Sequence, residues 1–410
     1  VTEREVTIQR LGHRGDGVAE GPVFVPRVLP GEVVRGLVEG DRMAAPKIVT
    51  PVPDRVAAPC PHYARCGGCA LQHASDGFVA AWKQQVVAEA LRAQGLSAPF
   101  AEIAVSPPGA RRRAVLAGRR LKKGVLVGFH TRASDTIVPV PDCTVLDPRL
   151  RAALPGLEAV VALAGSRSAT LDLAVTATDA GVDVSVTGGK PADAALTQAL
   201  AEVARTHDLA RLTLNGETVA ARRPPLVSFD GLTVRPPPGA FLQATPQGEA
   251  ALRAGVAAAV GDATRIVDLF AGCGTFALPL TRQAAVHAVE GDGALLAALD
   301  RGWREAGGLH KLTTEMRDLF RRPLMAEELA KAEAVVIDPP RAGAEAQTAE
   351  LARARVPRIA FVSCNPVTFA RDARTLVSAG YRLDRVQVVD QFRWSSHVEL
   401  VAALSLAHMG

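Results

Sequence analysis

No uninterrupted apolar run in this 410-residue chain approaches the roughly 20 residues that a membrane span needs, so no membrane partner is expected. The opening residues, Val1-Thr2-Glu3-Arg4-Glu5, are polar and lack the apolar core of a secretory signal. A cytoplasmic location is therefore expected. Cysteine is scarce, with six residues in all. In a reducing cytosol they are not disulfide partners, so each thiol reads as a metal ligand, a nucleophile or a packed side chain. The excess of positive charge is modest, +5 overall, but it clusters in Arg111-Arg112-Arg113 and Arg119-Arg120-Leu121-Lys122-Lys123. Such a patch attracts phosphates; a plain solvated face is the alternative.

What is present is ordinary for a folded protein: 48% hydrophobic and 22% charged residues. The length predicts two or three domains. Residues 1–55 alternate short β-prone runs with Gly and Pro turns, as in Gly15-Asp16-Gly17 and Val23-Phe24-Val25-Pro26. That pattern predicts a small β-barrel without a catalytic residue. Thr50-Pro51-Val52-Pro53 reads as a linker.

Then comes Cys60-x5-Cys66-x2-Cys69, three thiols in ten residues with two glycines between them. This is a metal or cluster signal, and Cys143 is the natural fourth thiolate. Zinc takes four thiolates but usually shows paired C-x-x-C halves. A cubane iron–sulfur cluster accepts more varied spacing, and the single remote ligand favours it. His62 and His73 are weaker substitutes. A helix is predicted over 78–94, where Phe78, Trp82, Val86 and Ala90 recur every fourth residue. From Arg111 onward strands dominate, with helices expected around 150–163 and 192–204. This middle region, 56–240, reads as an α+β domain, and Arg235-Pro236-Pro237-Pro238-Gly239 marks its end.

In 241–410 the pattern becomes regular β/α alternation, which predicts a doubly wound, mostly parallel sheet. Five predicted strands end, in order, on the Gly272-Cys273-Gly274 turn, Glu290, Asp318, Asp338 and Cys364. In such a sheet those ends share the ligand edge. The glycines let backbone approach a ligand, and Cys273 between them is a small filler. Glu290 is placed to accept from a ribose diol and Asp318 from an adenine amino group. The missing third glycine of the dinucleotide fingerprint points to S-adenosylmethionine rather than NAD. Cys364 ends the strand at Phe361-Val362-Ser363, where Asn365-Pro366 forces a turn.

The motifs Cys60-x5-Cys66-Gly-Gly-Cys69 with Gln72 and His73, Phe241-x-Gln243, Asp268-Leu-Phe270-x-Gly272-x-Gly274, Asp338-Pro-Pro-Arg341, Ser363-Cys364-Asn365-Pro366 and His397-Val398-Glu399 span nearly the whole chain. In them the sequence resembles the bacterial RNA uracil-C5 methyltransferases, in the branch with an N-terminal TRAM barrel and a [4Fe-4S] cluster. The resemblance implies a multidomain α/β protein. Its parts would be a small TRAM/OB-like β-barrel, a central α+β domain with the cluster on Cys60, Cys66, Cys69 and Cys143, and a C-terminal Rossmann-like class I methyltransferase domain. It implies Cys364 as nucleophile and Glu399 as base. It places Gln243, Phe270, Gly272, Gly274, Thr275, Glu290, Asp318 and Asp338 around the cofactor and target base, with Phe241 stacking near the uracil and Arg341 beside it. Large-subunit ribosomal RNA is the implied substrate, transfer RNA the second choice, and a monomer is expected. Gln391 to Ser396 departs from the family's pattern before His397 and receives no role. Three alternatives stand beside this reading: an amino-directed methyltransferase suggested by Asp338-Pro-Pro, a cytosine-C5 enzyme, and an iron–sulfur RNA-binding module with a silent cofactor fold.

Overall fold

The structure, a computed structural model, describes residues 2–406. Six strands, Thr2–Leu11, Gly17–Ala19, Val23–Val25, Val33–Glu39, Arg42–Met43 and Lys47–Thr50, form the first sheet. Thr2–Leu11 pairs antiparallel with both Gly17–Ala19 and Val33–Glu39, which rolls the sheet around Ile8, Val25, Val28, Val34 and Met43. Gly17 makes the roll possible, because a Cβ there would stand 2.3 Å from a Val28 methyl. The small β-barrel is as expected.

The second sheet runs in the order Ile137–Pro139, Val125–His130, Arg113–Arg120, Leu171–Thr178, Gly181–Thr187, Leu209–Leu214, Glu217–Ala221. Only Gly181–Thr187 and Leu209–Leu214 pair in parallel, and helix Ala194–Thr206 makes the crossover between them. The core packs Leu157, Val161, Leu173, Val184, Leu200 and Leu212 together. The single helix expected over 150–163 is instead two, Pro148–Ala152 and Leu154–Ala164. Pro155 has no N–H to return to the preceding turn, so the first helix stops and a second starts.

The third sheet has eight strands, ordered Leu312–Met316, Ala285–Glu290, Arg265–Leu269, Ala334–Ile337, Arg358–Ser363, Glu399–Leu406, Tyr381–Asp390, Ala104–Val105. The first five are parallel, and Glu399–Leu406 runs antiparallel to both its neighbours. Apolar layers cover both faces, as a parallel sheet requires. From Arg265–Leu269 the strands are added first to one side and then, starting with Ala334–Ile337, to the other. That change of side opens a crevice at the carboxyl ends of these two strands.

Upstream segments complete this last sheet. Ala104–Val105 pairs with Tyr381–Asp390, and the hairpin Val227–Phe229/Leu232–Val234 packs into one apolar face although it precedes the Pro-rich stretch. Helix Asp76–Ala93, capped by Ser75 Oγ accepting from the Phe78 N–H, buries Val87 and Leu91 against the other face. Lys83 on that helix is wholly buried, and its Nζ donates to Asp390 at 2.6 Å and to the Phe392 carbonyl at 3.0 Å. Among the described residues no helix is long and apolar enough to cross a membrane.

Candidate active site

The turn after Arg265–Leu269 is built from left-handed backbone, with φ of 61° at Phe270, 55° at Gly272 and 95° at Gly274. Glycine accepts that conformation at little cost, whereas a phenylalanine is strained in it, and such strain collects at functional sites. Gly274 is also needed for packing: a Cβ there would lie 2.4 Å from Leu299. Gly272 meets nothing within 4 Å and leaves its side open. Its N–H donates to Glu290 Oε2 at 3.0 Å, which ties the first strand end to the second. Asp318 Oδ1 accepts from the Phe320 N–H at 3.0 Å, and the Phe320 ring lies 5.5 Å from that of Phe270.

Phe270, Gly272, Glu290, Asp318 and Phe320 line one cavity of about 700 Å³ together with Phe241, Gln243, Thr275, Asp338, Arg341, Cys364 and Glu399, whereas Gly274, expected at the cofactor, packs on Leu299 instead. The five strand ends named from the sequence thus converge on a single space. Among the described residues neither Asp338 nor Glu399 has an ion-pair partner. Burial pushes Asp338 up to about 7. Burial, and then the neighbouring Asp338, pushes Glu399 up to about 8, while a hydrogen bond from Gln391 opposes the rise. The Cys364 thiol is pushed up to about 11 by burial, then by Glu399 and Asp338, with Arg341 acting against them. Asn365 sits at the next position and caps helix Pro366–Ser378, its side-chain oxygen accepting from the Val367 N–H at 3.1 Å.

Two exposed aromatic residues line the cavity. Phe241 is 61% exposed, with the Arg113 guanidinium 5.3 Å from its ring centre. Phe320, 50% exposed, is not singled out by the sequence; its only signal is its place two residues after Asp318. The second omission is Gln391, which is buried and hydrogen-bonded to both Gln243 and Glu399.

The arginine run needs correction. Arg112 is 6% exposed, forms an ion pair with Glu249, and donates to the Gln243 carbonyl at 3.3 Å. It braces the active edge from within and cannot hold a phosphate. Arg113 Nε donates to the Ala240 carbonyl at 3.2 Å, and Arg111 Nε to the Arg113 carbonyl at 3.2 Å. The Arg111 guanidinium reaches the ring of Phe392, 5.8 Å from its centre. Only Arg113, of these three, stands beside the cavity mouth.

Cys60, Cys66, Cys69 and Cys143 come together around a second, small cavity, with Arg111 and Phe129 in its wall. Among the described residues no three His, Cys, Asp or Glu side chains are grouped as ligands of a metal ion. A single zinc with 2.3 Å bonds would draw its thiolates to about 3.8 Å from one another. The four thiols line one small space, and the fold alone does not choose between zinc and a polynuclear cluster there. Gly67 is required here, since a Cβ would stand 2.7 Å from the His130 carbonyl. Burial first, and the other thiols after it, push Cys69 up to about 12. His73 is bonded to the Tyr63 hydroxyl at 2.7 Å, and burial pushes it down to about 4. The loop beyond Cys69 reaches the active edge: the N–H groups of Ala70 and Leu71 donate to the Trp394 carbonyl at 2.8 and 2.9 Å.

Comparison with known proteins accords with this arrangement. A family model described as tRNA (Uracil-5-)-methyltransferase matches residues 306–406. An RNA methyltransferase of Rhizobium meliloti is 46% identical, covering 97% of this chain and 98% of its own. The 23S rRNA (uracil(1939)-C(5))-methyltransferase RlmD of Halomonas elongata is 36% identical, covering 98% of this chain and 89% of its own. The crystal structure of Pyrococcus abyssi tRNA (uracil-54, C5)-methyltransferase with S-adenosyl-L-homocysteine shares the fold, with a TM-score of 0.77 over 98% of this chain and 99% of that one, at 22% identity. The chain belongs to the S-adenosylmethionine-dependent RNA uracil-C5 methyltransferase family.

Proposed function

We propose that this protein methylates C5 of a uridine in large-subunit ribosomal RNA through a transient bond between Cys364 and C6 of the base. The observation that carries the reading is the meeting of Cys364, Glu399, Asp338 and Gln243 in the cavity that also holds Gly272, Glu290 and Asp318. The choice of RNA follows the ribosomal-RNA relative, which is far more similar than the transfer-RNA enzyme.

C5 of uracil is a poor nucleophile. Cys364 first gives up its proton to solvent, and addition of the thiolate to C6 makes the ring an enolate, which splits one hard step into easier ones. S-adenosylmethionine, when bound, supplies the methyl group as an electrophile. Glu290 and Asp318 would hold its ribose and adenine, and the neighbouring rings of Phe270 and Phe320 would give that part of the cavity an apolar wall. Once C5 carries both hydrogen and methyl, Glu399 removes the proton. The C–H electrons then form the C5–C6 double bond, and the sulfur leaves with its own electron pair. A carboxyl pushed up to about 8 is a suitable base near neutral pH. Asp338 and Gln243 face the polar edge of the base and select uracil over cytosine. The base must leave its helix to enter, and exposed Phe241 offers it a stacking surface.

The four cysteines suit a [4Fe-4S] cluster of structural purpose, whose negative charge Arg111 would offset. The barrel over 1–55 serves as a TRAM-like RNA-holding module, 56–240 as the cluster-bearing part and 241–410 as the methyltransferase domain. We read the protein as a monomer working in the cytoplasm. The test is to map 5-methyluridine in ribosomal and transfer RNA from cells with and without the gene, and to look for a denaturation-resistant RNA complex with Glu399→Gln. An unchanged ribosomal RNA profile would refute the substrate; methylation by Cys364→Ala would refute the covalent route.

A further inference from the structure

Gln391 has no role that the sequence reveals, yet it is 2% exposed and all its side-chain hydrogen bonds run towards the active edge. Its Oε1 accepts from the Ala244 N–H at 2.8 Å. Its Nε2 donates to Gln243 Oε1 at 2.6 Å and to Glu399 Oε2 at 2.9 Å. Gln243 Nε2 in turn reaches Asp338 Oδ2 at 3.4 Å. The place for Gln391 is built into the helix beside it, where Gly248 leaves room: a Cβ there would lie 2.6 Å from the Gln391 Cβ.

The direction of this chain of bonds follows from one fact. A backbone N–H can only donate, so the Gln391 atom facing Ala244 is the oxygen. The amide nitrogen must then face Gln243 and Glu399. That nitrogen only donates, so the Gln243 oxygen turns towards it and the Gln243 nitrogen towards Asp338. One main-chain N–H thereby sets the polarity of two side-chain amides in series. Glu399 Oε2 is engaged by a donor. Among the described residues Oε1 has no protein hydrogen-bond partner, and the carboxyl lines the cavity.

We propose that Gln391 is a positioning residue for proton removal: it holds one oxygen of Glu399 so that the other faces C5, and it fixes which end of the Gln243 amide meets Asp338 and the base. This rests on the covalent reading above. The step it serves is the transfer of the C5 proton to Glu399 Oε1, with expulsion of the Cys364 sulfur from C6.

The test follows single turnover with RNA and S-adenosylmethionine, counting the denaturation-resistant enzyme–RNA adduct over time across pH 6 to 9. In Gln391→Met the adduct should form and then break down about 10-fold more slowly, the scale of one lost hydrogen bond to a charged group. The donated bond favours ionised Glu399, so its loss moves the acid limb of breakdown to higher pH, a change that loosened packing alone would not produce. Calorimetric binding of S-adenosylmethionine checks that the variant is folded. If it is not, Gln391→Glu decides: it keeps the acceptor for Ala244, sets a carboxylate against Glu399, and should displace the limb further. Wild-type breakdown with a wild-type pH profile in a folded variant overturns the role of Gln391 alone. An adduct that never appears with the wild-type protein overturns the covalent reading and this role with it.

Discussion

The central and C-terminal sheets treat buried charge in opposite ways. In the central sheet Asp183 is held by Arg211 through two bonds, of 2.8 and 2.7 Å, and the guanidinium also meets the Pro236 carbonyl. At the carboxyl edge of the C-terminal sheet Glu399 is as deeply enclosed and Asp338 is half-buried; neither forms an ion pair among the described residues, and both rise towards neutral pH. Two cations nearby are engaged by other acids, Arg112 by Glu249 and Lys83 by Asp390, and Arg341 in the same cavity forms no ion pair with either acid. Where charge serves the fold it is paired. At this edge it is left to change its protonation state, as groups in a site built for chemistry often are.

The contrast is broken most directly at Glu399. Glu399→Gln should lower turnover by about 100- to 10,000-fold, the usual worth of a general base, and leave the RNA adduct trapped on denaturing gels. Asp183→Ala should do the converse. It leaves Arg211 buried without its partner, costs about 3–5 kcal/mol in denaturant unfolding, and spares the turnover of the protein that remains folded. Stability should also respond to pH. Asp338 and Glu399 have folded values above their ordinary 3.8 and 4.5, so the unfolded chain loses their protons first. Thermal stability of the ligand-free protein therefore falls as pH rises from about 4 to about 8, then levels. A double Asp338→Asn, Glu399→Gln variant should reduce that fall, leaving the share of the fully buried Asp268, whose carboxyl burial also pushes up; an unaltered slope would show that the two acids are not its source. Smallest is Phe241→Ala, which should raise the KM for RNA about 10-fold through lost stacking, with S-adenosylmethionine binding unchanged in calorimetry.

The active edge is readable in the sequence because each strand contributes one residue at a place that the β/α rhythm locates. Glu290, Asp318, Asp338 and Cys364 can be named in this way without knowing their neighbours. Gln391 cannot, because its meaning depends on Gln243, 148 positions away, and on a main-chain N–H with no signature in the sequence. Arg112 misleads for the same reason. Three adjacent arginines look like a phosphate-binding patch until Glu249, 137 positions away, is seen to claim the middle one. Three of the four cysteines are legible by density, and Cys143 only as the remaining thiol before the C-terminal half, whereas their link to Trp394 through Ala70 and Leu71 depends on tertiary packing. The split at Ala153 follows from Pro155, a local cue that a longer apolar rhythm hides.

The two-residue strand Ala104–Val105 sets a timetable for synthesis. The bond from the Gln387 amide to the Glu102 carbonyl beside it spans 285 positions, and the Lys83–Asp390 contact spans 307. At roughly 5–20 residues per second of translation, these early segments wait tens of seconds for the strand they join. Through that interval the nascent polypeptide must keep an edge strand and a lysine-bearing helix apart from wrong mates, and the methylating pocket closes only after the last strands have emerged from the ribosome.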